Sequence, residues 1–220
     1  MTGPDAPPTP TERRREAQRA ALFDAAERAI AAQGLEALTA RDLARGIGVA
    51  LGAIYNLVED MDEIVLRVAA RTLDRLDAAL EAAAAAAARD RPCERLVAIA
   101  LAYRRFAAEN ELLWRALFDF RRGAGRPIPD WAASGQLRLF RHIAEPLQAL
   151  APERGEAERA VTSATLFSAV HGVVWLAFQK RLVAVPEERL DDELASLVTN
   201  ICRGMGAAAL TPAPARPARR

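Results

Sequence analysis

At 220 residues with a formal net charge of +1, the chain can hold one large domain or two small ones, each with a real core. So balanced a charge identifies no partner by itself, and only a local basic patch could engage nucleic acid. Cys93 and Cys202 lack metal-ligand spacing, His142 and His171 do not make a set with them, and no nucleophile–base spacing supports an enzyme. No catalytic residue, metal site or cofactor is therefore expected. The two cysteines read as structural thiols of a reducing cytoplasm. The opening MTGPDAPPTP has no apolar core and does not read as a signal peptide.

Residues 1–8 are expected to be disordered. Thr9-Pro10-Thr11-Glu12 then predicts a helix start, with Thr9 as N-cap, Pro10 at the first helical position and Glu12 closing a capping box. This helix should run to Gln33 and stop at Gly34, burying Leu22, Ala25, Ala26, Ala29 and Ile30. Arg13, Arg14, Arg15 and Arg19 crowd its first turns. They are either a basic arm that reaches phosphates or a solvated helix start, since Glu12 and Glu16 interleave with them.

Thr39 to Asn56, TARDLARGIGVALGAIYN, reads as two short helices around a tight turn. Thr39 caps the first, Asp42 completes its capping box, and Leu38 with Leu43 has hydrophobic-staple spacing. Gly46 and Gly48 end that run, and Val49 with Ile54 repeats the staple around a second start at Ala50. Helices this short cannot bury their own apolar face, so flanking helices must cover it. A helix-turn-helix of this kind places its second helix in the DNA major groove.

Beyond Asn56, Asp60 and Glu63 form another capping box that opens a helix to about Arg89, with Ile64, Val68, Leu76 and Leu80 inside. Its alanine run, Ala82 to Ala88, is strong helix former, and Arg91-Pro92 breaks it. Helical patterns follow at about 93–109, 111–121, 130–150, 153–181 and 187–209. Between them Arg122 to Pro129 is a loop without the Lys-Ser/Thr of a phosphate-binding loop. The stretch from Val161 to Phe178 carries no formal charge, but Thr162, Ser163, Thr165, Ser168 and His171 interrupt it. It reads as a helix buried in a soluble protein, not a membrane span. No segment alternates with a period of two, so the fold class is all α. The tail 210–220 should be disordered.

Gly34 through Leu66, GLEALTARDLARGIGVALGAIYNLVEDMDEIVL, preceded by LFDAAERAIAAQG, resembles the DNA-binding domain of the TetR family of bacterial transcription regulators. The resemblance implies that Thr39 and Tyr55 contact phosphate through their hydroxyls and that Arg41 faces the backbone or a base. Leu51, Gly52, Ala53 and Asn56 would face the groove, with Asn56 able to pair with adenine and Leu51 or Ala53 to meet a thymine methyl. Arg14 would belong to the basic arm. Plain helix packing is the other reading for Leu51 and Ala53, and a core aromatic with a solvated hydroxyl is the other for Tyr55. The chain departs from the family pattern at Ala50, which cannot cap, at Met61, where lysine is usual, and at Val58, where an aromatic is common.

The resemblance also implies a C-terminal domain that dimerises and binds a small molecule. The helix from about Glu153 carries two apolar stripes, Ala160, Ala164, Phe167, His171, Val174 and Phe178 on one and Leu166, Ala169, Val173 and Leu176 on the other. The last helix carries Leu190, Leu194, Leu197, Val198, Ile201 and Met205. A helix apolar on two sides is covered on two sides, here by the subunit and by its symmetry mate. Trp114, Phe118, Phe167, His171 and Trp175 are candidates to line the ligand pocket, although aromatic residues also simply fill cores.

The expected organisation is residues 1–8 disordered, 9–59 a helix-turn-helix DNA-binding domain, 60–209 a helical ligand-binding and dimerisation domain, and 210–220 a disordered tail. The expected function is that of a cytoplasmic, homodimeric repressor, released from a palindromic double-stranded operator by a small, mostly apolar ligand. The alternative is a helical small-molecule-binding or scaffold dimer with weak or lost operator binding.

Overall fold

The computed structural model describes residues 9–121, 127–179 and 184–208. The stretches 1–8 and 210–220, expected to be disordered, and most of the predicted loop 122–129 lie outside the described residues. Nine α-helices and no strand occur among the described residues: α1 Pro10–Gln33, α2 Ala40–Gly46, α3 Leu51–Leu57, α4 Met61–Ala86, α5 Pro92–Glu109, α6 Glu111–Asp119, α7 Asp130–Leu150, α8 Glu156–Phe178 and α9 Leu190–Ala208. The all-α class follows directly.

Residues to 74 together with 110–135 form one compact unit, and residues 75–109 together with 136 onward form another. The division along α4 falls after Asp74, beyond the 59/60 boundary drawn from sequence, because Ile64 and Val68 enter the first unit's core.

In the first unit, the start of α1 is as the sequence predicts. The Thr9 hydroxyl accepts from the Glu12 amide at 3.2 Å and the Glu12 carboxylate accepts from the Thr9 amide at 2.7 Å. At α2 only half of the box repeats. Thr39 accepts from the Asp42 amide at 3.1 Å, but the Asp42 carboxylate accepts from the Thr39 hydroxyl at 2.6 Å, not from an amide. Aspartate is one methylene shorter than glutamate, and its carboxylate reaches the nearer hydroxyl. The core joins Leu22, Phe23 and Ile30 of α1 to Leu43 of α2, Ile54 of α3 and Ile64 of α4. Leu113 and Ala116 of α6 also enter it, and α6 packs on α1. By sequence alone this helix falls in the other domain.

The turn between α2 and α3 is a Schellman motif. The Gly48 amide donates to the Arg45 carbonyl at 3.3 Å and the Val49 amide to the Ala44 carbonyl at 2.9 Å, which satisfies two of the last carbonyls of α2. Gly48 has φ of 70°, the left-handed region. A Cβ there would meet nothing within 4 Å, so the penalty of a side chain is backbone strain alone. Gly48→Ala is therefore expected to destabilise the protein by about 1–2 kcal/mol, read as a lower urea midpoint with unchanged slope.

In the second unit α5 packs on α8 and α9. Leu190, Leu194, Val198, Cys202 and Met205 form the buried stripe of α9, and Arg104 pairs with Asp191 at 3.2 Å. Buried His142 of α7 places Nε2 2.7 Å from an Asp77 carboxylate oxygen. Arg141 beside it bonds to Asp77 at 3.3 Å and to Glu81 at 3.2 Å, tying α7 to α4.

The buried side of α8 is Ser163, Leu166, Val170 and Val174. Its other faces stay open: Val161 is 67% exposed and Leu176 is 42% exposed, and Ala160, Ala164, Thr165 and Ser168 are exposed as well. Neither stripe expected from sequence matches the buried one. Ala160, Ala164 and Leu176 face out of the subunit, and buried Ser163 belongs to neither. By length and composition α8 could cross a membrane, with a mean hydropathy of 1.5 over its most apolar window and only 22% of that window buried.

Candidate nucleic-acid interface and ligand site

The core fixes which side of α3 is free. Ile54 and Leu57 point inward, which turns Leu51, Gly52, Tyr55 and Asn56 out to exposed positions and leaves Ala53 half-buried. Leu51 is 44% exposed and Tyr55 is 53% exposed, so neither is a core residue of this unit. Adding a Cβ at Gly52 would meet nothing within 4 Å, so its place on this face is open for close approach by a ligand backbone. Thr39 is exposed at the start of α2 with Arg41 two residues on. The helix start at Ala50 has no side-chain cap.

One side chain that the sequence pattern does not single out holds this helix. The Arg15 guanidinium of α1 donates to the Asn56 carbonyl at 2.7 Å, at the C-terminal end of α3, where a cation meets both an orphan acceptor and the negative end of the helix dipole. Beside it lies an open groove of about 560 Å³ lined by Arg15, Gln18, Val49, Ala53, Tyr55, Asn56 and Leu57.

Charge around this face is partly neutralised inside the unit. Arg45 pairs with Asp42 at 3.2 Å, Arg19 with Glu63 at 2.5 Å and Arg67 with Glu63 at 3.6 Å. Arg71 pairs with Asp24 at 2.6 Å. The arginines around Glu63 and Asp24 thus brace α1 against α4. Arg14 and Arg41 make no ion pair or hydrogen bond to another described residue, so their charges remain available to phosphate.

The expected ligand-lining residues fall in both units. Trp114 and Phe118 belong to the first, with ring centroids 5.4 Å apart and Trp114 fully buried. Phe167, His171 and Trp175 belong to the second, on one face of α8. His171 stacks on Phe167 at 5.4 Å and lies 5.7 Å from Trp175. Tyr103 of α5 and Phe140 of α7, absent from the sequence reading, complete the group by meeting Phe167 edge-on at 5.9 and 5.6 Å. The Tyr103 hydroxyl lies 2.7 Å from His171 Nδ1. A signal for Tyr103 does exist in its place on the inner stripe of α5, but not for its partner, which is 68 residues away.

Burial lowers the pKa of His171 from its ordinary 6.5, because the half-buried imidazolium loses hydration. Above pH 6.5 both folded and unfolded chains hold it neutral, and its effect on stability is nil. Below pH 6.5 the unfolded chain takes up the proton first, so stability falls with pH until the folded imidazole also titrates. The melting temperature of the wild type is expected to drop between pH 7 and pH 5 by more than that of His171→Gln, and equal drops would remove His171 as the cause.

A short helix pair with a fixed turn, one exposed helix face and free arginines beside it defines a helix-turn-helix DNA-binding module. Comparison with known proteins agrees at the level of family. Residues 22–68 match the model of bacterial regulatory proteins of the tetR family, and residues 96–213 match that of the tetracyclin repressor-like C-terminal domain. The chain belongs to the TetR family: it is a soluble DNA-binding transcriptional regulator and not an enzyme. No functionally curated sequence matches it. Among solved structures, a protein of unknown function from Rhodococcus sp. RHA1 is similar over 92% of this chain and 98% of its own, with 22% identity and a TM-score of 0.69. RolR in complex with resorcinol is 17% identical over 92% of this chain and 98% of its own, with a TM-score of 0.63. The TetR family regulator PfmR from Thermus thermophilus is 19% identical over 83% and 97%, with a TM-score of 0.56. At these identities the likeness is one of fold.

Proposed function

We propose that this regulator acts as a cytoplasmic homodimeric repressor that binds a palindromic operator and leaves it when a small, mostly apolar ligand enters the second unit. The observation that carries the reading is the outer face of α8. Val161, Ala164, Thr165, Ser168 and Leu176 recur at helical spacing and are exposed in the isolated subunit. Their small and apolar side chains would gain little from water and would let a second helix approach closely. A symmetric pairing through this face and part of α9 gives two recognition helices, one for each half of a palindrome.

On the DNA, Thr39, Tyr55, Arg14 and Arg41 would position the domain on phosphates, and Leu51, Gly52, Ala53 and Asn56 would meet base edges. In the second unit, Phe167, His171 and Trp175 with Tyr103 and Phe140 offer aromatic surface and one neutral polar pair. No acid or base of fixed charge lies between Val161 and Phe178, so a neutral or weakly acidic ligand fits better than a cation. Of the five lining residues expected from sequence, these three on α8 are the ones assigned to the ligand, and Trp114 with Phe118 serves the packing of the first unit. Differential affinity of the ligand for one spacing of the recognition helices would shift the population off the operator.

Selection from fragmented genomic DNA at graded salt tests the reading. A discrete palindrome, released by hits from a small-molecule library that also quench tryptophan fluorescence, is the expected result. Salt-sensitive binding with no sequence preference would instead indicate that operator recognition has been lost. On the selected site, Tyr55→Phe should weaken binding to all sequences alike, because a phosphate contact carries no base information. Asn56→Ala should relax preference at one position by about 1–3 kcal/mol, and an unchanged preference would take Asn56 out of the readout.

A further inference from the structure

The two cysteines of the chain stand far apart in sequence, Cys93 in the first turn of α5 and Cys202 near the end of α9. The packing of α5 on α9 brings them together. Arg104 of α5 pairs with Asp191 of α9 at 3.2 Å, and Cys93 lies 11 residues before the one and Cys202 11 residues after the other. The two thiols therefore stand level on the packed helices, within range of each other, and both are free. Their surroundings differ. Cys93 is half-exposed and Cys202 is buried. A pair of neighbouring thiols, one reachable by solvent and one shielded behind it, is the arrangement of an attacking and a resolving cysteine. We propose that Cys93 and Cys202 form a redox-modification site, closed to a disulfide within one subunit by hydroperoxides and reopened by small thiols.

The chemistry balances in two steps. Sulfur of Cys93 attacks one peroxide oxygen, the O–O bond breaks, and the departing alkoxide takes the thiol proton as an alcohol, leaving Cys93 as a sulfenic acid. Sulfur of Cys202 then attacks the Cys93 sulfur. The S–O bond breaks, and hydroxide leaves with the Cys202 proton as water. Two thiols lose two hydrogens and two electrons, and the peroxide takes up both. The order follows from access and from protonation: burial, helped by the neighbouring Cys93, pushes the Cys202 thiol up to about 12, so Cys202 is a poor first nucleophile. Closure fastens the first turn of α5 to the last turns of α9, two helices that otherwise meet through side-chain packing and the ion pair of Arg104 with Asp191.

The full-length reduced protein, treated with tert-butyl hydroperoxide and measured by intact mass under denaturing conditions, should lose two hydrogen atoms per chain. A non-reducing gel should show no cross-linked dimer, peptide mapping should join the Cys93 and Cys202 peptides, and dithiothreitol should restore the starting mass. Cys93→Ser should show no mass change. Cys202→Ser, with Cys202→Ala as a second variant if the first does not fold, should stop at a sulfenic acid that dimedone captures. The oxidised wild type should also melt at a higher temperature than the reduced form, a difference that Cys93→Ser lacks. A wild type whose Cys93 proceeds to sulfinic acid, or which cross-links only between subunits, overturns the proposal.

Discussion

Ala164→Arg should convert the protein from dimer to folded monomer. Ala164 is exposed on α8 in the single subunit, so in a monomer its guanidinium would reach water and leave the core untouched. In the proposed dimer the same charge would be buried without a partner, at a cost of about 3–5 kcal/mol, or roughly two to four orders of magnitude in the dimer dissociation constant. Light scattering at micromolar concentration reads the mass, and far-UV circular dichroism reads the fold. The same substitution at half-buried Ala169 would mix subunit strain with interface loss and is the poorer probe. A wild type that scatters as a monomer would end the two-half-site mechanism, and a variant that stays dimeric would move the interface off this face.

Ile54→Ala carries the second large effect. Ile54 is fully buried and, with Leu57, anchors α3 to the core shared by α1, α2 and α4. Removing its branched chain from such a site costs about 2–5 kcal/mol, a large share of the 5–15 kcal/mol typical of a whole domain. The melting temperature should fall by on the order of 10–20 °C, and DNA binding should go with it. Leu51→Ala, three residues away on the exposed face, should leave the melting temperature within a degree or two of wild type (its ΔΔG within about 0.5 kcal/mol) and change DNA binding only. Equal losses of stability in both variants would refute the division of α3 into an inner and an outer side.

That division is legible in the sequence because it is local. Caps at Thr9 and Thr39, the stop at Gly48 and the inward spacing of Leu43, Ile47 and Ile54 each depend on residues a few positions apart. What cannot be read is what meets what over long separations. The amphipathic α6 presents Leu113 and Ala116 to an apolar partner, and nothing in its own residues says that the partner is α1. In α8 nearly every position is small or apolar, so periodicity selects no single face, and the chain buries Ser163 while exposing Val161. The pairing of Tyr103 with His171 and the cation–π contact of Arg67 over Trp131 at 4.0 Å likewise depend on the fold. The ion pairs that neutralise Arg19 and Arg45 matter most for function, since a count of basic residues would credit the DNA face with charge already used inside the unit.

The bond from Arg15 to the Asn56 carbonyl has a consequence for how specificity can be moved between regulators. At seven residues, α3 is too short to hold itself, and part of what fixes its far end is a side chain from α1, 41 residues earlier. Grafting Leu51 to Asn56 alone onto another helix-turn-helix would carry the exposed side chains of α3 but leave behind the guanidinium bonded to its far end. A transplant meant to keep the operator preference must bring Arg15 along, and directed evolution of that preference has two addresses in the gene to search.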